Sequence, residues 1–320
     1  MQVDFFIDNN EIEEGIGKLL NAILIENIKI EELRGGTSNR LYKVEGIKND
    51  SNIKLLVRIF GNNNGLIDRK EEIYYMSEIY NKFDNIVPKI YLKFNNGLVY
   101  EYLEGKCLTY NELSFFNNNI AKKLSEWHKI DIDSYGKKSI FFDKIYDWFD
   151  QSKDFYDNTL PITYIQMKNE INIIKYIINK NKFPICFCHN DLQSLNIIQH
   201  NNDIRFIDFE YSSYNYRGFD IGNYFNEWAG LNIDQTRYPS YLQQLSFINS
   251  YINNLENQHI QSSSLLVEVS FFSLCSHLFW ALWALIQDKD SSIDFNYKEY
   301  AIKRMSWYLT IRDNIISTLY

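Results

Sequence analysis

Residues 187–228, FCHNDLQSLNIIQHNNDIRFIDFEYSSYNYRGFDIGNYFNEW, form a strand-type hairpin inside a stretch otherwise patterned for helices. Two short apolar runs, 196–199 and 204–208, flank a polar turn at 200–203, the pattern of an antiparallel pair. Folding the hairpin back symmetrically puts Asn196 opposite Ile207 and beside Asp208, so two oxygen-bearing side chains of the kind magnesium accepts meet there. Asp191 lies in the loop leading into the hairpin, near enough to share the site without standing on the same strand. Phosphoryl transfer needs such a layout. One carboxylate orients and deprotonates the attacking hydroxyl, while an Asn and a second Asp hold the cations that offset charge on the moving phosphate. Alone, an HxDxxxxN string says little, because Asn and Asp are ordinary turn residues and this chain is crowded with Asn. Asp208, at the end of the apolar run in IRFIDFE, supplies the third member. His189 is expected to brace the loop by a hydrogen bond rather than act as a base, and Asp220 to cap the next helix or tie down the loop backbone.

Around this hairpin the chain divides by pattern. Residues 28–60 (IKIEELRGG, NRLYKVEGI, IKLLVRIFG) alternate or run apolar between Gly, Asn and Asp turn signals, predicting strands. A helix is predicted from Asp68 to Phe83, then strands over Lys89 to Phe94 and Gly97 to Leu103, joined at Asn95-Asn96-Gly97. Beyond Gly105 the spacing turns helical, near 111–129, 162–179, 239–255, 264–287 and 297–318, with only the one hairpin interrupting. The expectation is an α+β chain with a small antiparallel-sheet lobe (1–103) and a larger, mainly helical lobe (104–320), the cleft between them being the default ligand site. Residues 130–165 are rich in aromatics and acids and receive no role.

Composition excludes several classes. Forty-one acidic residues against 33 basic ones leave a net charge of −8, which disfavours nucleic acid as a partner. Gly and Pro, 13 and 4 in number, are too few for a collagen-like or Pro-rich disordered chain. Four cysteines make no extracellular framework, although Cys186 and Cys188 bracket one residue just before the catalytic string, so a reducing, cytoplasmic setting is expected. The first residues, MQVDFFIDNNEIEEG, lack the basic and apolar regions of a signal peptide, and export is not indicated. The apolar run 270–287 contains His277 and three serines and is expected to be a buried core helix, without stable membrane insertion.

With these segments assembled, the sequence resembles the choline/ethanolamine kinase family, within the protein-kinase-like and aminoglycoside-phosphotransferase-like superfold. The resemblance runs from LRGGTSNRLYKV through LLVRIFG, LIDRKEE, FNNGLVYEYLEG, FCHNDLQSLNII, IDFEYSSYNYRGFDIGNYFNEW and SHLFWALWALIQ to SSIDFNYKEYA, about residues 33–301. It implies a bilobal kinase using ATP and Mg²⁺, with Asp191 as catalytic base and Asn196 and Asp208 as magnesium ligands. Arg58 would be the cation on the nucleotide phosphates, Glu72 its helix partner, and the segment Glu101 to Leu103 part of the adenine pocket. A homodimer is a state the resemblance allows. Arg58 alternates with apolar neighbours on its strand, so if buried it must meet an anion or a carboxylate; on an exposed face it would carry no such meaning. Gly35, Gly36, Thr37, Ser38 and Asn39 offer glycines and polar donors for a phosphate loop, with Gly36, Ser38 and Asn39 the candidate contacts, but the string is no GxGxxG.

Two features point to a small cationic substrate. Glu227 follows Asn223 by one helical turn and is placed opposite Ile221, Phe225 and Trp228, so it is expected to face the cleft and meet an ammonium; a solvated helix face is the bland alternative. Trp280 and Trp283 share a helix face, and Phe295, Tyr297 and Tyr300 follow, a group that ordinarily means core packing but can also cage an ammonium on its ring faces. By resemblance these five aromatics and Glu227 are the family's amino-alcohol pocket. A quaternary ammonium needs ring faces, whereas a primary one wants hydrogen-bond acceptors. Asn232 stands in EWAGLNIDQ where choline kinases of the family carry a Tyr, which favours ethanolamine over choline. The expected reaction is ATP-dependent phosphorylation of ethanolamine, the first step of CDP-ethanolamine or CDP-choline phospholipid synthesis by family resemblance. Other readings are a choline kinase, an aminoglycoside or protein kinase, and a non-catalytic nucleotide-binding scaffold.

Overall fold

The computed structural model describes residues 1–319 except 34–38, 62–64, 84–85, 133–135, 202, 256–258 and 291–294, and Asp290 by its backbone alone. Its contacts divide the chain into two compact units, Met1–Glu104 and Gly105–Tyr320.

In the first unit, β1 (Glu26–Leu33), β2 (Asn39–Lys48), β3 (Ser51–Phe60), β4 (Ile90–Phe94) and β5 (Gly97–Glu101) form one antiparallel sheet in the order β1-β2-β3-β5-β4. Leu55, Val57 and Ile59 alternate along β3 into a core shared with Val44, Leu92 and Val99. A helix the sequence reading did not anticipate, α1 (Ile12–Asn21), buries Ile12, Ile16, Leu19 and Leu20 in the same core. Gly15 and Gly17 lower the intrinsic propensity of this segment, and the apolar stripe forms a helix because the sheet gives it something to cover. The helix α2 (Arg69–Lys82) starts as expected, where the Asp68 carboxylate caps the backbone N–H groups of Lys70 and Glu71 at 2.9 and 3.1 Å.

The second unit is mainly helical: α3 (Tyr110–Trp127), α4 (Phe141–Gln151), α5 (Tyr164–Asn181), α6 (Arg217–Glu227), α7 (Tyr241–Asn254), α8 (Ser262–Asp290) and α9 (Tyr297–Ser317). Thr163 with Gln166, and Ser240 with Gln243, close capping boxes that start α5 and α7. Buried side chains come from every side of α8, among them Cys275, Ser276, His277, Leu278 and Phe279, so its length and apolarity reflect a core position. The helix α6 packs close against it: a Cβ at Gly222 would stand 2.5 Å from the Ser273 backbone nitrogen. An alanine at that position would push the two helices apart.

Strand content in this unit exceeds the single hairpin expected. The hairpin is β8 (Ile197–His200) with β9 (Asp203–Phe206), joined on its edge by β6 (Lys106–Cys107), while β7 (Ile185–Cys188) and β10 (Ser213–Tyr216) pair as a second small sheet. Runs of two to four residues carry no periodicity of their own, and β10, SYNY, becomes a strand only because β7 pairs with it. The hairpin turn is also tighter than the expected 200–203. His200 and Asp203 already pair, and the register Ile197 with Phe206 continues to a hydrogen bond from Ile207 N to Asn196 O at 3.0 Å. The expected facing of Asn196 and residue 207 is therefore present.

Candidate active site

The loop from His189 to Asn196 is held by side chains that bond its backbone. The Asp220 carboxylate, at the start of α6, accepts from His189 N at 2.7 Å and Asn190 N at 2.8 Å, and its Oδ2 also lies 3.0 Å from His128 Nε2 at the end of α3. Of the two roles considered for Asp220, tying down the loop is the one the geometry displays. His189 lies buried with Nε2 on the Ile207 carbonyl at 2.9 Å, and burial lowers its pKa, so it stays a neutral brace between loop and hairpin. Asn190 adopts φ +67°, a left-handed conformation that Asn tolerates; its amide donates to Tyr211 O and accepts from Asn215.

Asp191 follows at once. Asn196, in a single 3₁₀ turn (Ser194–Asn196), donates through Nδ2 to the Asp191 carbonyl at 2.8 Å and to Asp191 Oδ2 at 3.0 Å. With Nδ2 spent on Asp191, the Asn196 side-chain oxygen Oδ1 is the atom left to act as an acceptor or ligand. Asp208 lies just beyond β9 at φ +64°, so it leaves the strand direction, and its charge is felt at Asp191. Burial, then the charges of Glu227, Asp208 and Glu210, push the Asp191 carboxyl well above its usual range. Asp191 and Asp208, beside the Asn196 side-chain amide oxygen, offer hard oxygen donors in a region whose negative charge is felt at Asp191, which suits a divalent cation such as Mg²⁺.

The five aromatics expected to group do so. Ring centroids lie 5.5 Å apart for Trp280 and Trp283, 5.6 Å for Trp283 and Tyr297, 4.8 Å for Phe295 and Tyr297, and 5.8 Å for Phe295 and Tyr300, all close to edge-to-face. Tyr211, absent from the sequence-derived set, joins them. Its ring lies 5.2 Å from Trp280 and its hydroxyl accepts from Trp283 Nε1 at 2.9 Å, while burial, then the Glu210 and Asp191 charges, raise its pKa. Its position three residues after Asp208 was the available signal. Trp280 is buried, with Nε1 donating to Asn223 Oδ1 at 2.8 Å.

Glu227 is more enclosed than its helical position suggested, although its charge is felt at Asp191. The whole of α6 from Gly218 to Glu227 is buried, and the Glu227 carboxylate is ion-paired with Arg304 of α9 rather than standing open on one helix face. Arg304 is fully buried and donates to the Tyr300 hydroxyl from Nε at 2.9 Å and Nη2 at 2.6 Å. No spacing rule links positions 227 and 304, so the pairing was invisible until α6 and α9 were placed. His277 Nδ1 lies 3.4 Å from Arg304 Nη1, and burial together with that cation holds the His277 pKa well below its ordinary value. Above about pH 6.5 the imidazole is neutral in both folded and unfolded chains. Below that, the unfolded chain takes up a proton the folded one refuses, so stability falls with acidification by up to ~1.4 kcal/mol per pH unit. Urea unfolding of His277→Gln at pH 7 and pH 5 should show a shallower loss than the native chain; parallel losses would contradict this environment.

In the first unit, Arg58 on β3 is buried with Glu72 of α2, Nη1 to Oε1 at 2.5 Å, which answers the question its alternation posed. Arg69, not anticipated, adds a second cation: it donates to Glu72 Oε2 at 3.0 Å and to Asn39 Oδ1 at 3.0 Å. Its i,i+3 spacing to Glu72 was the legible clue. The Glu101 carboxylate accepts from Lys89 N at 3.3 Å, and Leu103 follows β5 half-buried. Gly36 and Ser38 lie outside the described residues.

A family model for choline/ethanolamine kinase matches residues 30–309. A probable ethanolamine kinase A of Dictyostelium discoideum is 34% identical, covering 91% of this chain and 88% of its own. The human ethanolamine kinase 2 is 33% identical, covering 96% and 83%. Among solved structures, an ethanolamine kinase of Plasmodium vivax superposes with a TM-score of 0.83 at 28% identity, covering 95% of this chain and 89% of its own, and the shared architecture is the protein-kinase-like α+β fold. From a family match spanning most of the sequence, and relatives this similar over nearly their full length, the chain belongs to the choline/ethanolamine kinase family.

Proposed function

We propose that this protein is an ATP-dependent kinase that transfers the γ-phosphate to the hydroxyl of ethanolamine, with choline the close alternative. The observation that carries the reading is the meeting of Asp191, Asn196 and Asp208 at one end of the β8–β9 hairpin, with the aromatic group of α8 and α9 in electrostatic reach. Asp191 accepts the hydroxyl proton; its raised pKa brings it toward the operating pH, where a general base is most effective. Asn196 fixes the Asp191 carboxylate, and Asp220 fixes the backbone on which Asp191 stands. Asn196 and Asp208 would hold Mg²⁺, which when bound supplies the positive charge that phosphoryl transfer requires. Arg58, kept in place by Glu72, would meet the nucleotide phosphates, Asn39 on Arg69 being a further candidate contact, and Glu101 to Leu103 would line the base. The four free cysteines and the ATP requirement suit the cytosol.

The substrate ammonium would sit among Tyr211, Trp283, Phe295, Tyr297 and Tyr300, with Trp280 supporting them and Glu227 supplying negative charge. Arg304 engages Oε1 of Glu227, leaving Oε2 to accept from an N–H. A primary ammonium can use that acceptor and a trimethylated one cannot. The Tyr that choline kinases of the family carry after the Glu-Trp pair is Asn232 here, and it is exposed. Both features support ethanolamine. An aminoglycoside acceptor is less well supported, because it gives the aromatic group nothing to do. Steady-state ADP release with Mg²⁺-ATP should rank ethanolamine above choline in kcat/KM and kanamycin far below both. Trp283→Ala should raise KM for the amino alcohol about tenfold or more, matching the loss of ~1.5–2 kcal/mol of ring-face attraction, with KM for ATP within about twofold. Turnover on kanamycin equal to that on ethanolamine, or equal effects of Trp283→Ala on both KM values, would overturn the assignment.

A further inference from the structure

Behind the catalytic loop lies a second constellation that phosphoryl transfer does not use. Cys186 and Cys188 stand two apart on β7, so both side chains project to one face of the strand, and their Sγ atoms are 3.6 Å apart. The His128 ring closes the group: ligand atoms of His128, Cys186 and Cys188 all lie within 4.8 Å of one another. Two thiolates on one tetrahedral zinc ion, each at about 2.3 Å, would stand roughly 3.8 Å apart, close to the separation found here. His128 already makes two polar contacts, Nδ1 to the Tyr251 hydroxyl at 2.7 Å and Nε2 to Asp220 Oδ2 at 3.0 Å. When one nitrogen ligates, the other keeps an oxygen partner, the arrangement that orients metal-bound imidazoles. Cys188 and His128 are buried while Cys186 is half-buried.

We propose that His128, Cys186 and Cys188 form a binding site for a thiophilic divalent cation, zinc being the fit, separate from the oxygen-donor set at Asn196 and Asp208. Two thiolates balance the ion's charge, so the filled site adds no net charge to the interior. Three protein donors leave a fourth position open. The ion would lock β7 to the end of α3, and through Asp220 the same cluster reaches the backbone N–H groups of His189 and Asn190, next to Asp191.

The test uses the full chain, reduced with a phosphine and stripped of metal, titrated with Zn²⁺ against a chromophoric chelator and separately with Cd²⁺. One equivalent of Zn²⁺ should bind, and Cd²⁺ should produce the ultraviolet thiolate-to-metal absorption of two sulfurs. Cys186→Ser should lower the affinity by more than the ~10–100-fold that losing even an outer-shell partner costs, and Cys107→Ser, on an exposed cysteine elsewhere, should not change it. Should Cys186→Ser fail to fold, the Cd²⁺ absorption of the native chain decides by itself. No stoichiometric binding, a Cd²⁺ complex without thiolate absorption, or unchanged affinity in a folded Cys186→Ser protein would each overturn the proposal.

Discussion

Asp191→Asn should lower kcat by roughly 10³-fold while leaving the protein folded and at least as stable as before. The first part follows from chemistry. An amide cannot take the hydroxyl proton, and loss of a positioned general base costs about 10²–10⁴-fold. The second follows from the charges around it. Asp191 is pushed up by burial and by Glu227, Asp208 and Glu210, so its ionised form is disfavoured, and a neutral isostere relieves that repulsion. Asparagine keeps an oxygen where Asn196 Nδ2 now donates at 3.0 Å, so the loop loses no hydrogen bond. Steady-state kinetics and a melting curve check both halves. Near-native kcat would remove Asp191 from the base role, and a large drop in melting temperature would make it a structural carboxylate.

Arg304→Met is expected to be among the most destabilising single changes in the helical unit, costing about 3–5 kcal/mol, because it strands a buried carboxylate. Arg304 has no exposed surface and Glu227 very little, and the guanidinium also satisfies the Tyr300 hydroxyl. Removing the cation leaves Glu227 to protonate or to draw in water. Adding Glu227→Gln removes the stranded charge, so the double variant should recover a substantial part of the loss, a coupling that urea unfolding of the four proteins of the cycle measures directly. A cost below about 1 kcal/mol for Arg304→Met, or strict additivity in the cycle, would mean that the pair is not the anchor described here.

The sequence made the chemistry more legible than the architecture around it. Asp191, Asn196 and Asp208 could be brought together on paper because a hairpin is local and its register follows from a short turn; the hydrogen bond from Ile207 N to Asn196 O is that register made visible. The aromatic group could be read for a similar reason, since Trp280 and Trp283 share a helix face and Phe295, Tyr297 and Tyr300 cluster at the start of the next helix. What escaped were pairings fixed by tertiary placement. Arg304 with Glu227, Tyr211 with Trp283, and β7 with β10 join residues far apart in the chain or runs too short to show a period. The Arg304 partner of Glu227 went unread because helical spacing assigns faces to a helix but not what covers them, and α6 is buried from Gly218 to Glu227. The helix α1 was missed because two glycines weaken its local signal, while its apolar stripe is rewarded only by the sheet beneath it.

The most direct test of the whole account follows the phosphorus. ATP labelled in its γ-phosphate, incubated with the native protein, Mg²⁺ and ethanolamine, should pass the label to the ethanolamine oxygen in proportion to the ADP formed. Label found only as inorganic phosphate, or remaining on ATP however much ethanolamine is supplied, would contradict the assignment.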